Sequence, residues 1–152
     1  MDFRSSEVAA GGRFPTALMA ADCGGRNVSP SLDWTGAPNG ARSFALIVHD
    51  ADAPIPGGFY HWVAYNIPGS TRSLAAGAKL AAGQLGASSL GKTEYYGPCP
   101  PPGPAHHYTI TLYALDIPHI DAGAPLTGAQ LQARMDGHVL ARATLSATAA
   151  HP

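Results

Sequence analysis

Two carboxylates and a histidine stand close together in the stretch HDADAPIPGGFYHW. Asp50 and Asp52 follow one apolar run, and His61 opens the next. His106 and Tyr108 open a third run further along the chain. A carboxylate beside a histidine can tune the pKa of both groups for proton transfer. These residue types therefore indicate a polar site with acid–base character, if the fold brings them together.

Three strands must position these side chains. Residues 43–50 (SFALIVHD) alternate only weakly, which is typical of a mostly buried strand. Residues 61–67 (HWVAYNI) predict a second strand, and residues 106–116 (HHYTITLYALD) alternate clearly and predict a third. Shorter strand candidates lie near residues 14–18 and 32–34. The candidate groups sit at strand ends beside Pro/Gly-rich loops, where functional sites usually lie on β scaffolds.

Alternation along a strand decides which side chains share a face. Asp50 lies on the same face of its strand as alternate apolar residues that precede it. Asp52 lies on that face too if the chain stays extended. His106 and Tyr108 share a face with the apolar residues that follow them, whereas His107 points with the threonines. Of the two adjacent histidines, His106 is therefore the pocket candidate and His107 the surface one.

His61 has the parity of Val63, Tyr65 and Ile67, which predicts an interior position. The sequence thus predicts one pocket formed by Asp50, Asp52, His61, His106 and Tyr108. Each residue also has an ordinary structural interpretation. Aspartates at strand ends often form turns, and a histidine beside a tryptophan is often half-buried with its hydrogen bonds satisfied. At the level of residue types, both interpretations stay open.

Turn residues and one capping motif predict the structure of the segments between and after these strands. Residues 69–92 predict a long irregular connection, and residues 97–105 (GPCPPPGPA) a stiff loop, because proline fixes φ and supplies no amide hydrogen. Near the C-terminus, Thr127 and Gln130 form a capping box that predicts a helix start. The helical stripe that follows consists of Leu131, Met135 and Val139. Gly137 interrupts this stripe, so one helix and two short helices are both compatible with it.

Composition restricts the classes of function. The chain has 152 residues, which fits a single domain over residues 1–152. Charged residues make up 12%, against about 25% in typical proteins. The net charge is −1 and no run of Lys or Arg is present, so nucleic acid is not an expected partner. The 18 glycines and 14 prolines favour a mainly β fold with many turns.

The termini and the cysteines predict a reduced environment. The N-terminus lacks the apolar stretch of a signal peptide and no segment reaches transmembrane length, so a cytoplasmic location is expected. Cys23 and Cys99 are too few for a disulfide framework or a structural zinc site. Both are expected to be reduced thiols, and the sequence leaves open whether they lie close together.

No metal and no cofactor is expected. His106 and His107 are adjacent and therefore point apart, and no HExxH pair is present. The sequence also contains no G-x-S-x-G elbow, no P-loop and no dinucleotide fingerprint.

Six motifs together resemble one known family. They are NVSPSLDW at 27–34, DADAP at 50–54, YHW at 60–62, YYGPCPPPG at 95–103, HHYTITLYALD at 106–116 and GHVLARATL at 137–145. The chain is similar to the phosphatidylethanolamine-binding protein family, and specifically to its bacterial Raf-kinase-inhibitor-like branch. The motifs run in family order and span nearly the whole chain.

The resemblance implies a β-sandwich with short C-terminal helices and a small surface pocket that accepts anions or a phosphorylated head group. Carried over by motif, the ligand-binding residues are Asp50, Asp52, Pro54, His61, Gly97, Cys99, Pro100, His106 and Tyr108. The resemblance also implies a homodimer and, by analogy with eukaryotic relatives, a protein partner such as a kinase or a protease.

Two functions are compatible with these residues. The first is a binding module for a small anion or a phosphorylated head group, with modulation of a partner protein as a further role. The second is a small-molecule enzyme, a cyclase, lyase or isomerase, in which Asp50, His61 and His106 carry acid–base chemistry. Nothing in the sequence indicates turnover, so binding is favoured.

Overall fold

Two antiparallel sheets enclose the main hydrophobic core of the chain. The computed structural model describes all 152 residues, from Met1 to Pro152. Its elements are β1 (Asp2–Arg4), β2 (Leu32–Thr35), β3 (Ser43–Asp50), β4 (Phe59–Pro68), β5 (Ser73–Leu74), β6 (His106–Leu115), α1 (Gly128–Met135) and β7 (Val139–Ala149). The smaller sheet has the strand order β1-β2-β5, and the larger has the order β4-β3-β6-β7. The predicted mainly β sandwich is confirmed.

Strand β3 is buried on both of its faces. Phe44, Leu46 and Val48 point into the core between the sheets. Ala45 and Ile47 point the other way, into a second apolar cluster that Leu131 and Met135 of α1 help to form. A strand covered on both sides loses its polar alternation, which is why residues 43–50 alternate so weakly.

Helix α1 begins where the sequence predicts. The Thr127 side chain accepts a hydrogen bond from the main-chain N–H of Gln130, and the Gln130 side chain accepts one from the N–H of Thr127. The helix ends at Met135, and Gly137 then adopts a φ of +81°, which a residue with a side chain rarely takes. Only one C-terminal helix forms, because Val139 starts the long strand β7 and does not extend the helical stripe.

The connecting segments agree with the predicted irregular structure in part. Residues 97–105 contain no regular element, and the connection over 69–92 holds only the short β5 and one 3₁₀ turn at Ala82–Gln84. The strand candidate near 14–18 is wrong, since Thr16–Leu18 is a 3₁₀ turn. No helix of the structure has the length and apolar character that crossing a membrane requires.

A disulfide bond joins Cys23 to Cys99, whose Cα atoms lie 5.6 Å apart. The expectation of two reduced thiols is therefore wrong. The two cysteines are separated by 76 positions along the chain, and only the fold brings them together. The bond ties the Pro-rich loop to the 3₁₀ turn at Ala21–Cys23.

Candidate functional site

A cavity of about 230 Å³ lies at one edge of the larger sheet. Here β3 ends and both β4 and β6 begin, and Asp50 is paired with Phe59 on one side and Tyr108 on the other. Of the residues predicted for a ligand site, those lining the cavity are Asp50, Pro54, His61, Cys99, Pro100, His106 and Tyr108. Antiparallel pairing thus brings the end of β3 and the start of β4 together with the start of β6, which is distant from both in sequence. A larger groove of about 480 Å³ between α1 and β7 is lined by no histidine.

Asp50 and His106 form a buried hydrogen-bonded pair inside this cavity. The Nδ1 atom of His106 lies 2.7 Å from Oδ2 of Asp50, and the side chains are 13% and 4% exposed. The other oxygen, Oδ1, accepts a hydrogen bond from the main-chain N–H of Asp52 at 2.9 Å. Because a carboxylate only accepts, Nδ1 of His106 carries a proton and the ring is held in one orientation.

His61 is held by a main-chain carbonyl. Its Nδ1 atom lies 2.7 Å from the carbonyl oxygen of Tyr96. A carbonyl oxygen only accepts, so Nδ1 is the donor and Nε2 carries the lone pair of the neutral ring. Burial lowers the pKa of His61 to about 4, so the ring is neutral at pH 7. The same ring stacks parallel to Tyr96 and meets the Tyr108 ring edge-on.

A β-bulge turns His61 toward the cavity. The pairing of β3 with β4 shifts by one residue between Val48, which faces Trp62, and His49, which faces Tyr60. His61 is the extra residue, and it packs on Phe59 and Tyr108. The interior position predicted for His61 is therefore correct, but its predicted partners Val63 and Tyr65 belong to the opposite cluster of the sheet.

Tyr108 supplies a protonated hydroxyl group to the site. Its side chain is 1% exposed and lines the cavity beside Asp50. Burial and the neighbouring charge of Asp50 raise the pKa of Tyr108 far above its usual value. The phenol therefore remains protonated, and a hydrogen-bond donor, at neutral pH.

Asp52 and His107 lie outside the cavity. The Asp52 carboxylate accepts hydrogen bonds from the main-chain N–H of His107 at 2.7 Å and from its Nδ1 at 2.8 Å. These bonds, with the side-chain bond as the larger contribution, lower the pKa of Asp52. The structure thus places Asp52 on the surface with His107, and not with the other predicted site residues.

Gly97 also lies outside the cavity, where it serves the architecture of the site. A Cβ atom on Gly97 would lie 2.2 Å from the carbonyl oxygen of Leu18, so only glycine fits there. Its N–H donates to Oδ1 of Asn27 at 2.6 Å, and Nδ2 of Asn27 donates to the carbonyl of Tyr95 at 3.0 Å. Asn27 therefore fixes both sides of Tyr96, whose carbonyl orients His61.

Sequence reasoning missed Asn27 and the apolar wall of the cavity. Asn27 has a φ of +55°, and Asn is among the residues that tolerate this conformation best. Its position after Gly24-Gly25 was the available signal for a turn. The further lining residues are Ala53, Ile55, Phe59, Leu90, Tyr96 and Pro101. Ile55 and Leu90 are 46% and 50% exposed, so they form an apolar mouth.

Comparisons with known proteins give consistent results. The UPF0098 protein YbhB of Escherichia coli K12 is 40% identical over 129 residues, which is 81% of this chain and 82% of that protein. The UPF0098 protein of Methanothermobacter thermautotrophicus is 39% identical over 140 residues, which is 88% of each chain. Both relatives are therefore matched over most of their length.

Structural similarity covers the whole chain. The crystal structure of Escherichia coli YbcL, described as a new member of the mammalian PEBP family, superimposes with a TM-score of 0.91 at 32% identity. The match covers 98% of this chain and 97% of that one. The sequence model of the family described as "Phosphatidylethanolamine-binding protein" matches residues 4–150. With these sequence and structural matches, the chain belongs to the phosphatidylethanolamine-binding protein family.

Proposed function

We propose that the chain binds a small anion, such as the phosphate of a phosphorylated head group, in the cavity at the edge of the larger sheet. The observation that carries this proposal is the convergence of the Asp50–His106 pair, His61 and Tyr108 on a cavity of about 230 Å³. Pockets for drug-sized ligands measure roughly 300–1,000 Å³, so this cavity suits a smaller ligand.

The apolar residues at the mouth of the cavity suit an anion that carries an organic substituent. Ile55 and Leu90 line the mouth and are the large apolar side chains most exposed on the chain. Exposed apolar side chains at a pocket rim often mark the contact with an apolar part of a ligand. The family name, which refers to phosphatidylethanolamine, agrees with a phosphorylated head group.

Calorimetric titration with inorganic phosphate and with O-phosphorylethanolamine tests the proposal. His106→Ala should lower the affinity roughly ten- to hundredfold, because losing one charge-assisted hydrogen bond costs about 1.5–3 kcal/mol. His107→Ala is the matched control, because the adjacent ring lies outside the cavity. Equal affinities of the two variants, or no binding by the wild-type protein, would contradict the proposal.

An acid–base enzyme is the second candidate, and the Asp50–His106 pair favours it. A carboxylate that orients a histidine is the arrangement of a general base and its positioning group. Incubation with O-phosphorylethanolamine, followed by phosphorus NMR, would reveal turnover as a new phosphorus signal. Conversion by the wild-type protein and by His107→Ala, but not by Asp50→Asn, would establish this enzyme in place of the binding module.

A further inference from the structure

We propose that the cavity selects an anion that carries its own proton, such as a singly protonated phosphate or phosphonate, over an aprotic anion of the same size and charge. This inference rests on the proposed function and adds the chemical class of the ligand. It follows from the balance of donors and acceptors around the cavity.

Acceptors dominate the polar lining. Nδ1 of His61 is engaged by the Tyr96 carbonyl, so Nε2 is left as an acceptor. The carboxylate of Asp50 is a second acceptor, already bound to the His106 ring and the Asp52 main chain. Neither Lys nor Arg is among the residues that line the cavity. A bare anion would therefore face a lone pair and a negative charge without a fixed cation to offset them.

The donors are few. The Tyr108 hydroxyl donates, but the neighbouring Asp50 carboxylate also accepts from it, and the His106 ring offers a second N–H only when it is protonated. Neither of these groups, nor the hydroxyl of Tyr96, is hydrogen-bonded to Nε2 of His61 in the structure. An O–H on the ligand fills that place, because it donates to the lone pair while the other oxygens accept.

His61 itself is a poor source of the missing proton. Its ring is 4% exposed, and burial outweighs the favourable effect of Asp50 on its charged form. The titratable groups that surround the ring are Asp50, His49, Tyr96, His106 and Tyr108. Asp50 is the only carboxylic acid among them, and its side chain is already paired with His106. Accepting a hydrogen bond from a ligand O–H thus costs less than protonating the buried ring.

Two ligands of the same shape and charge, one with an O–H and one without, test the effect of the ligand's proton. At about pH 5.5, methylphosphonate carries one negative charge and one O–H, whereas methanesulfonate carries one negative charge and no proton. Both are tetrahedral and differ little in size. We expect methylphosphonate to bind at least about tenfold more tightly, because a buried acceptor left unpaired costs that much or more.

Calorimetry with both ligands at this pH gives the decisive comparison on the wild-type protein. Equal affinities would overturn the inference and leave the proposed function standing, since an anion would still bind. Failure of both ligands and of inorganic phosphate to bind would overturn the proposed function and, with it, the inference. Neither conclusion depends on a variant.

Replacing the imidazole of His61 tests whether this residue causes the preference for the protonated ligand. His61→Phe should reduce the preference for methylphosphonate to less than about threefold, because the acceptor is gone. His107→Ala should keep the full preference, because His107 lies outside the cavity. A preference that persists in a folded His61→Phe protein would contradict the assignment to Nε2. If that variant does not fold, the wild-type comparison still decides the inference.

Discussion

At the residue level, the buried imidazole of His61 makes the stability of the protein depend on pH. Its folded-state pKa of about 4 lies below the ordinary value of 6.5. Between these values the unfolded chain binds a proton that the folded chain does not, so stability falls as pH falls. The loss should reach about 3 kcal/mol at pH 4, as 2.5 pKa units correspond to that free energy.

Chemical denaturation between pH 4 and pH 7 measures this effect. His61→Phe should lose about 3 kcal/mol less over the same range than the wild-type protein, although the variant starts from a lower stability. His151→Ala, which removes an exposed histidine at the C-terminus, should retain the wild-type dependence. An unchanged slope in His61→Phe would show that the ring is not held neutral.

The contrast between Asp50 and Asp52 shows what alternation can predict at single residues. Parity along a strand predicts the faces of Asp50, His106 and His107, because all three belong to strands. It fails for Asp52, because the Asp52 N–H bonds to the Asp50 side chain and the chain turns at once. Parity has no meaning beyond the last extended residue, and the sequence alone does not reveal where that residue is.

At the level of elements, the segment Tyr95–Gly97 depends on the side chain of Asn27. The Asn27 amide makes two hydrogen bonds to this segment and holds a φ of +55°. Asn27→Gly should lower the free energy of unfolding by about 2 kcal/mol through the two lost hydrogen bonds. It should also weaken phosphate binding, because the Tyr96 carbonyl that orients His61 is no longer fixed.

Asn27→Ala is the matched variant for the backbone contribution. Both variants lose the same hydrogen bonds, but alanine tolerates a positive φ less well than glycine, by about 1 kcal/mol. Thermal unfolding should therefore rank the wild type above Asn27→Gly and Asn27→Ala lowest. Full stability and full phosphate affinity in Asn27→Gly would exclude the positioning role.

The bulge in β4 and the strand β7 are two features that the sequence does not reveal. A single extra residue at His61 reverses the parity on one side of it, and nothing in HWVAYNI marks the insertion. In β7, alanines fill four positions where β-branched residues would signal a strand; Ala141 and Ala143 are half-exposed, and Ala147 and Ala149 are buried. Pairing with β6 along nearly its whole length, a contact distant in sequence, makes this segment a strand.

At the level of the whole molecule, the disulfide stabilises the fold across a long stretch of chain. Cys23 and Cys99 are separated by 76 positions, and removing a native disulfide costs about 2–5 kcal/mol. Reduction with dithiothreitol should lower the denaturation midpoint by a corresponding amount. The Cys23→Ser/Cys99→Ser double variant should match the reduced protein and no longer respond to the reductant. No change on reduction would mean that the bond does not form in solution.

The disulfide also bears on the location of the protein. Disulfides persist mainly in oxidising compartments, and they are rare in the reducing cytosol. The bond is therefore not what the cytoplasmic location predicted from the N-terminal sequence would lead one to expect. Two cysteines so far apart in the sequence give no indication of pairing, which explains why composition alone led to the wrong redox state.

The double-sided burial of β3 determines how the backbone exchanges its amide hydrogens with heavy water. Phe44, Leu46 and Val48 are fully buried, and β4 and β6 flank the strand on both edges. No local fluctuation can expose these amides, so they should exchange only when the whole molecule unfolds. Hydrogen–deuterium exchange followed by NMR should find them the slowest of all, with a free energy of opening equal to that of global unfolding. Faster exchange here than in the edge strand β7 would mean that β3 separates from its neighbouring strands before the molecule unfolds.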